Sequence, residues 1–193
     1  AFLRQACELI DHPEVCALRG SLQMVLAEIS LCEQAMRDSE EQLARWHADD
    51  DIVHKLDEVS GIGLLTASAL KTAVGKPERF ASGRHLSAWL GMTPNEYSSG
   101  ERRRLGCISC KGNTYVRTLL IHGARAALLA AKRCQTRTPE RLTQLQRWAL
   151  QTAERIGHNK AAVALANKLV RICWAVWCHE RRFSGDWQSA RPA

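Results

Sequence analysis

VSGIGLLTASAL, residues 59–70, is the part of the sequence that indicates the fold most clearly. It matches a helix-hairpin-helix motif over residues 56–75, in which a Gly-x-Gly turn joins two helices and small Ala67 lets them approach. Glycine at positions 61 and 63 allows left-handed backbone angles and leaves backbone N–H groups uncovered at a helix N-terminus. Such a turn binds a phosphate without reading base sequence, so Gly61 and Gly63 are candidate DNA-binding residues. The alternative is a tight helical hairpin that only packs.

Upstream of this motif, residues 1–51 are predicted to form a helical, coiled-coil segment. From residue 21 to residue 46 apolar side chains recur at heptad spacing, with charged residues between them. This pattern predicts a coiled coil that joins two or more copies of the chain, or alternatively an amphipathic helix that packs on its own domain. The acidic run at residues 49–51 predicts a favourable helix start rather than a metal site, because adjacent carboxylates point in different directions on a helix.

Charge is distributed unevenly along the chain. The 193 residues carry a formal net charge of +7. Residues 1–60 hold five Lys and Arg against 13 Asp and Glu, whereas residues 101–171 hold 15 against three. The basic second half therefore has the charge expected of a surface that binds a polyanion such as nucleic acid.

Composition excludes several classes of protein. A hydrophobic fraction of 46% with 24% charged residues is that of a globular chain rather than a disordered or fibrous one. No apolar run approaches the roughly 18 residues of a membrane-spanning helix and no export signal is recognisable, so the sequence predicts no membrane segment. The eight cysteines are scattered, and the one Cys-x-x-Cys, at residues 107–110, lacks a second ligand pair. Free thiols in a reducing cytosol are favoured, and no metal site is predicted in this chain.

Residues 93–114, TPNEYSSGERRRLGCISCKGNT, are neither helical nor strand-periodic, so we expect an irregular loop with at most a short hairpin around residues 97–108. Two serines precede a flexible glycine, and three arginines follow. A freely presented serine hydroxyl can attack a phosphodiester, and guanidinium groups can bind phosphate and stabilise transition-state charge. The alternative is a basic loop that binds phosphates without catalysis. The candidate phosphate-binding residues are Arg102, Arg103 and Arg104, and further DNA-facing candidates are Lys111, Asn113 and Arg117.

The rest of the chain is predicted to be helical. An apolar face recurs after residue 115, another helix is expected over residues 141–156, and a last one over residues 160–177 carries two tryptophans that we expect in the core. Ser82 is expected to cap a short helix that stops at Gly91.

The predicted fold is therefore all-α, with a long coiled-coil helix followed by a compact helical domain over residues 52–183. That domain contains the helix-hairpin-helix motif and the irregular loop that could carry chemistry. The tail, residues 184–193, lacks periodicity and is expected to be frayed.

Two stretches of the sequence resemble a known family. Residues 59–70, quoted above, and residues 83–128, GRHLSAWLGMTPNEYSSGERRRLGCISCKGNTYVRTLLIHGARAAL, are similar to the C-terminal domain of transposases of the bacterial insertion-sequence family IS-one-ten, particularly its IS-eleven-eleven branch. The similarity is strong over residues 52–130. There the hairpin turn, LG-x-TP, SSG, the basic run and KGN-x-Y-x-R follow in the family's order and spacing.

The resemblance implies a function in DNA transposition and recombination. In this family an N-terminal RuvC-like domain binds Mg²⁺ through a DEDD carboxylate set, and a coiled coil connects it to the C-terminal domain and dimerises. The C-terminal domain supplies a serine nucleophile that forms a covalent phosphoserine link to DNA, and a structured noncoding RNA from the element guides the choice of DNA. The implied location is the bacterial cytoplasm, in association with the nucleoid.

Carried over to this sequence, the nucleophile falls on Ser99, immediately before Gly100, with Ser98 as the less favoured neighbour. We expect the RuvC-like domain that the resemblance implies to be missing from this chain, so that the chain binds DNA and needs that metal-binding domain for full activity. Cys110 stands where the family usually has a basic or polar residue, which further weakens a zinc interpretation.

Two other classes of function remain open from the sequence. One is a non-catalytic helix-hairpin-helix DNA-binding module or a decayed transposase remnant. The other is a structural coiled-coil adaptor, which the basic second half of the chain disfavours.

Overall fold

The computed structural model describes residues 18–100, 102 and 104–186. The chain divides after Ala48 into two units. In the first unit lies the helix α1 (Arg19–Trp46), which confirms the helix predicted from residue 21 to residue 46. None of its side chains is fully buried, and the apolar stripe of the heptad pattern is exposed or half-buried along the helix. Self-association through this stripe stays a prediction, and residues 1–17 of the predicted coiled-coil segment lie outside the described residues.

The second unit holds, among the described residues, six further α-helices and one two-stranded sheet. The helices are α2 (Asp51–Asp57), α3 (Leu64–Val74), α4 (Gly83–Trp89), α5 (Thr114–Arg137), α6 (Gln144–Ile156) and α7 (His158–Cys178), and the strands are β1 (Pro94–Glu96) and β2 (Leu105–Ile108). Short 3₁₀ turns lie at Pro77–Arg79 and Pro139–Arg141. The fold is mostly helical, which confirms the predicted all-α class.

Helix α7 lies at the centre of the second unit. It packs against α4, α5 and α6, and its buried face includes Leu165, Leu169 and Cys173. By length and composition this helix could cross a membrane, but half of its most apolar window is buried inside the unit. That burial is typical of a core helix in a globular domain. Its two tryptophans lie where the sequence predicted, with Trp177 buried and Trp174 packed against the core.

Local capping sets several helix ends. Asp50 accepts a hydrogen bond from the backbone of α2 and pairs with Lys71, so the acidic run at residues 49–51 starts a helix as predicted. Ser82 accepts a hydrogen bond from the first turn of α4. The chain leaves that helix at Gly91, whose φ is +71°. Both expected ends of this short helix are therefore confirmed.

Two expectations near the end of the chain need correction. Helix α6 begins at Gln144 rather than at residue 141, because Pro139–Arg141 form a separate turn and Thr143 caps the helix in a capping box. The tail is not frayed where it is described. The Gly185 carbonyl accepts a hydrogen bond from the Leu145 backbone, and the Asp186 carboxylate accepts one from that of Gln144. Residues 187–193 of the expected tail lie outside the described residues.

Candidate nucleic-acid interface

An antiparallel hairpin, rather than an irregular loop, occupies most of the segment 93–114. Strand β1 pairs with β2, with a register irregularity between Pro94 and Glu96. Beyond the strands, Tyr97 N donates to Arg104 O at 2.8 Å. The short hairpin expected around residues 97–108 is thus present and begins earlier. Its strands are too short to show alternation in the sequence, and cross-strand hydrogen bonds define them.

The tip of the hairpin is a tight turn that carries Ser99. Ser99 and Arg102 exchange backbone hydrogen bonds of 3.3 and 3.2 Å around two residues, the first of which is Gly100. Gly100 has a φ of +56°, as tight hairpin turns require at that position, and glycine adopts this angle without steric cost. A Cβ atom at Gly100 would meet no atom within 4 Å. The turn therefore presents the adjacent serine in open space.

The two serines of the SSG motif differ in their hydrogen bonds. Ser98 Oγ accepts a hydrogen bond from Arg104 N at 3.1 Å and donates one to Glu96 Oε1 at 2.7 Å. Ser99 Oγ makes no hydrogen bond to any residue that the structure describes, and its side chain is exposed. Ser98 is therefore tied into the hairpin, whereas Ser99 presents an unengaged hydroxyl.

The base of the hairpin is held by close backbone packing. Cys110 N donates to Gly91 O at 3.0 Å, which joins the segment before β1 to the segment after β2. At Gly91 a Cβ atom would lie 2.7 Å from Lys111 N, and at Gly112 it would overlap the backbone of Trp89. Only glycine fits these two positions without moving the backbone, so the hairpin leaves the helices from a tightly packed root.

Arg117, a predicted DNA-facing residue, lies in this root and is buried. Its side chain donates to Leu90 O, Gly112 O and Thr114 Oγ1, each at 3.2 Å. These contacts join the end of α4, the segment between β2 and α5, and the start of α5. The guanidinium does not face solvent, so the prediction that Arg117 faces DNA is wrong. The sequence KGN-x-Y-x-R gave no sign of this, because the carbonyl at Leu90 is distant along the chain.

The other basic candidates of the hairpin lie on its surface. Arg102, Arg104 and Lys111 are exposed, whereas Arg103 lies outside the described residues. Asn113 is exposed as well, and its Oδ1 caps α5 by accepting from Val116 N at 3.1 Å. The structure thus brings Ser99 and Arg102 together at the tip, with Lys111 and Asn113 near the root.

The Gly61 turn is built for close packing against α5. Gly61 has a φ of +90°, and a Cβ atom there would lie 2.7 Å from Gly123 O. At Gly123 a Cβ would overlap the carbonyl oxygen of Gly61. The expected left-handed angle is therefore present at Gly61, but it serves a backbone contact that the hairpin-turn pattern did not predict.

Gly63 behaves differently from Gly61. Its φ of −98° is open to any residue, so the left-handed angle that glycine allows is not adopted there. It precedes α3, is exposed, and a Cβ would meet nothing within 4 Å. Gly123, which the turn contacts, lies nine residues into α5, roughly 14 Å along the helix axis from its start. The turn and the hairpin root therefore meet α5 at different points, and do not form a single cluster.

No metal-binding group is found among the described residues, since no three His, Cys, Asp or Glu side chains there lie close enough to share an ion. Cys107 and Cys110 are exposed free thiols. Of the acidic run at residues 49–51, Asp50 pairs with Lys71, and Asp51 lies 2.5 Å from the Lys55 ammonium. The carboxylates that could have suggested a metal are thus engaged with α2 and its neighbours.

Comparison with known proteins points to one group. Residues 53–139 match the family described as Transposase IS116/IS110/IS902 family. The chain is 40% identical over 153 residues to a probable family 20 transposase of Pseudomonas aeruginosa, with 79% of this chain and 43% of that protein aligned. It is 35% identical over 166 residues to the transposase for insertion sequence element IS1111A of Coxiella burnetii, with 86% of this chain and 44% of that protein aligned.

A transposase for insertion sequence element IS1328 of Yersinia enterocolitica is 35% identical over 154 residues, covering 80% of this chain and 44% of that protein. The chain spans less than half the length of the curated relatives that it matches. The matched residues 53–139 contain the Gly61 turn, the whole hairpin and the buried Arg117. By this match and these relatives, the chain belongs to the transposase IS116/IS110/IS902 family.

Proposed function

We propose that this chain is the DNA-binding and serine-bearing part of a transposase, and that the Ser99 hydroxyl attacks a DNA phosphodiester. The observation that carries the proposal is the unengaged hydroxyl of Ser99 on a tight, glycine-containing turn beside the exposed Arg102. In the proposed step Ser99 Oγ forms a bond to phosphorus and loses its proton to solvent. The bond from phosphorus to the deoxyribose oxygen breaks, and that oxygen leaves with a proton.

The surrounding charges support this chemistry. An incoming phosphodiester at the tip would meet the guanidinium groups of Arg102 and Arg104, which can offset the charge that develops on the phosphoryl oxygens. Lys111 and the amide nitrogen of Asn113, which the helix cap does not use, would hold the DNA backbone nearer the root. The exposed N-terminus of α3 after Gly63 would take a further phosphate.

Other partners follow from the family resemblance and are part of the same proposal. A RuvC-like domain with Mg²⁺-binding carboxylates would supply the metal-dependent half of the reaction, for which the described residues offer no ligand set. A structured noncoding RNA would guide DNA choice, and the open apolar stripe of α1 would join two copies of the chain. The expected location is the bacterial cytoplasm, at the nucleoid.

The test is covalent trapping of the serine on DNA. The chain replaces the corresponding region of the Pseudomonas aeruginosa relative, and the hybrid is incubated with a suicide DNA substrate that cannot complete strand transfer. We expect a protein–DNA adduct that Ser99→Ala abolishes and that Ser98→Ala, the matched control, retains. An adduct that survives in Ser99→Ala contradicts the assignment, and loss in Ser98→Ala alone transfers the role to that serine.

A second candidate function is DNA binding without catalysis. It is favoured by the absence, among the described residues, of a metal-ligand group near the hairpin. Under this alternative the chain binds DNA with steep salt dependence, and Arg102→Ala weakens binding equally on all sequences. Trapping by the hybrid excludes it, whereas binding without any adduct supports it.

A further inference from the structure

One stripe of α7 holds the segment between residues 77 and 92. Asn167 Nδ2 donates to Met92 O at 2.8 Å, and Trp174 Nε1 donates to Pro77 O at 3.2 Å. Arg171 lies between them on the same face of α7, four residues after Asn167. A Cβ atom at Gly83 would lie 2.9 Å from Arg171 Cα, so the start of α4 is pressed against α7 at this residue. The position of Arg171 is therefore fixed by contacts on both sides.

Three cations lie at or beside this crossing, and Arg171 is the electrostatic neighbour of each of the other two. Arg84 follows Gly83 at the start of α4 and is exposed. Lys168 lies one turn before Arg171 on α7, and its Nζ lies 4.2 Å from the centroid of the Trp148 ring. We call Arg84, Lys168 and Arg171 the crossing cluster. Sequence reasoning missed it, because only two of the three share an element.

The crossing cluster has no compensating carboxylate in the part of the chain that the structure describes. None of its three members forms an ion pair there. The Nε of Arg171 is buried and finds no hydrogen-bond partner among the described residues. Burial lowers the pKa of Arg171, and the neighbouring Arg84 lowers it further. Burial also lowers the pKa of Lys168, with a second contribution from Arg171. The charges therefore repel one another at a partly desolvated place.

A bound anion would relieve that repulsion. Planar guanidinium groups match the oxygens of a phosphate, and an ammonium adds a point charge beside them. The cluster also lies near the hairpin root, because Arg171 is one turn, about 6 Å along the helix axis, from the residue that holds Met92. A strand bound along the hairpin could continue onto α4 and α7 without leaving the basic surface.

From this geometry we infer that Arg84, Lys168 and Arg171 form a second phosphate-binding site, which holds the backbone of the DNA away from the hairpin tip. The inference rests on the proposed function as far as DNA binding is concerned, but it does not depend on catalysis by Ser99. Contacts of this kind position DNA and carry no base specificity.

The test compares two charge-matched double variants of the whole chain. R84Q/K168Q removes two cations of the crossing cluster and leaves Arg171 in its packed position. R155Q/K160Q removes two exposed cations at the junction of α6 and α7 and serves as the control. Binding of a fluorescent DNA duplex is measured by anisotropy between 50 and 200 mM salt. We expect about tenfold weaker binding by R84Q/K168Q at the lower salt, with a salt slope smaller by about one to two. The control should change affinity about twofold at most.

Additional measurements distinguish a phosphate-binding site for DNA from misfolding and from a site for a free anion. R84Q alone, at an exposed position, is expected to weaken binding about threefold with unchanged urea denaturation, which excludes misfolding as the cause. Equal affinities and slopes for the two double variants would overturn the inference and leave the proposed function standing. Absence of DNA binding by the unsubstituted chain would overturn both. If inorganic phosphate stabilises the unsubstituted chain but not R84Q/K168Q while their DNA affinities agree, the site takes a free anion and the DNA assignment fails.

Discussion

The two ends of the hairpin differ in how closely they pack against the rest of the second unit. At the root, glycines at 91 and 112 let the end of α4 touch the segment between β2 and α5, and the buried Arg117 donates hydrogen bonds to three separate oxygen atoms. At the tip, Ser99 and Gly100 lie in open space and are joined to their partners only through the turn. The hairpin is therefore packed firmly at its root and presents an accessible hydroxyl at its tip. Substitutions at the root should therefore change stability, and those at the tip should change function.

The greatest loss of stability is expected at the root of the hairpin, where a Gly→Ala substitution is compared with the same change at the tip. In Gly112→Ala the new methyl group overlaps the backbone of Trp89, so the end of α4 and the segment between β2 and α5 must separate. We expect the free energy of unfolding to fall by about 3 kcal/mol, measured by urea denaturation. Gly100→Ala has open space and only the strain of a positive φ, which costs about 1 kcal/mol. Equal losses at both positions would contradict the proposed difference between root and tip.

Next in size is the loss of the buried guanidinium. Arg117→Met fills similar space but leaves the oxygens of Leu90, Gly112 and Thr114 without their donor. The free energy of unfolding should fall by about 2 kcal/mol. Arg102→Met at the exposed tip should change it by no more than about 0.5 kcal/mol. The pair is compared by urea denaturation, with DNA binding measured in parallel. A larger stability loss at Arg102 than at Arg117 would reverse the roles of the two arginines.

The features that could be predicted from the sequence depend on residues that are close together along the chain. The helix over the heptad segment, the acidic start of α2 at Asp50 and the cap at Ser82 are local features, and the structure has all three. Gly61 illustrates the limit. Its positive φ was predicted from the turn, but its partner Gly123 lies on another helix, and two glycines distant in sequence carry no shared pattern. Backbone contacts of this kind are determined by tertiary packing.

The candidate site shows the same division. The motif SSG predicts an exposed serine beside a glycine with conformational freedom. Ser99 is exposed, and Gly100 adopts a positive φ. The basic run predicts surface charge, and Arg102 and Arg104 are exposed, whereas Arg117, a candidate from the KGN-x-Y-x-R segment, is buried. Charge alone cannot tell a phosphate ligand from a guanidinium that satisfies buried carbonyls, because both require the same donors. The crossing cluster could not be found either, since α4 and α7 meet only in the folded chain.

A smaller effect is expected at Asn113, which has one oxygen in the root and one amide nitrogen that the cap leaves unused. Asn113→Ala removes the cap of α5 and should lower the free energy of unfolding by about 1 kcal/mol. Asn113→Ser keeps a capping oxygen, so its stability should remain within about 0.5 kcal/mol of the unsubstituted chain. If the amide contacts DNA as proposed, both variants should bind DNA more weakly by a similar factor. Weaker binding by Asn113→Ala alone would assign the residue to the cap and remove it from the interface.

The smallest expected effect concerns thiol reactivity, which compares the hairpin with the core beneath it. Cys107 is exposed on β2, whereas Cys173 is fully buried in α7 and its burial raises the pKa of that thiol to about 12. Iodoacetamide at pH 8 should therefore modify Cys107 and leave Cys173 unmodified, as read by mass spectrometry of peptides. In urea both should react, because unfolding removes the burial that keeps Cys173 protonated. Modification of Cys173 in the folded chain at the rate of Cys107 would mean that α7 opens readily, and the firm mounting of the hairpin on this core would then be wrong.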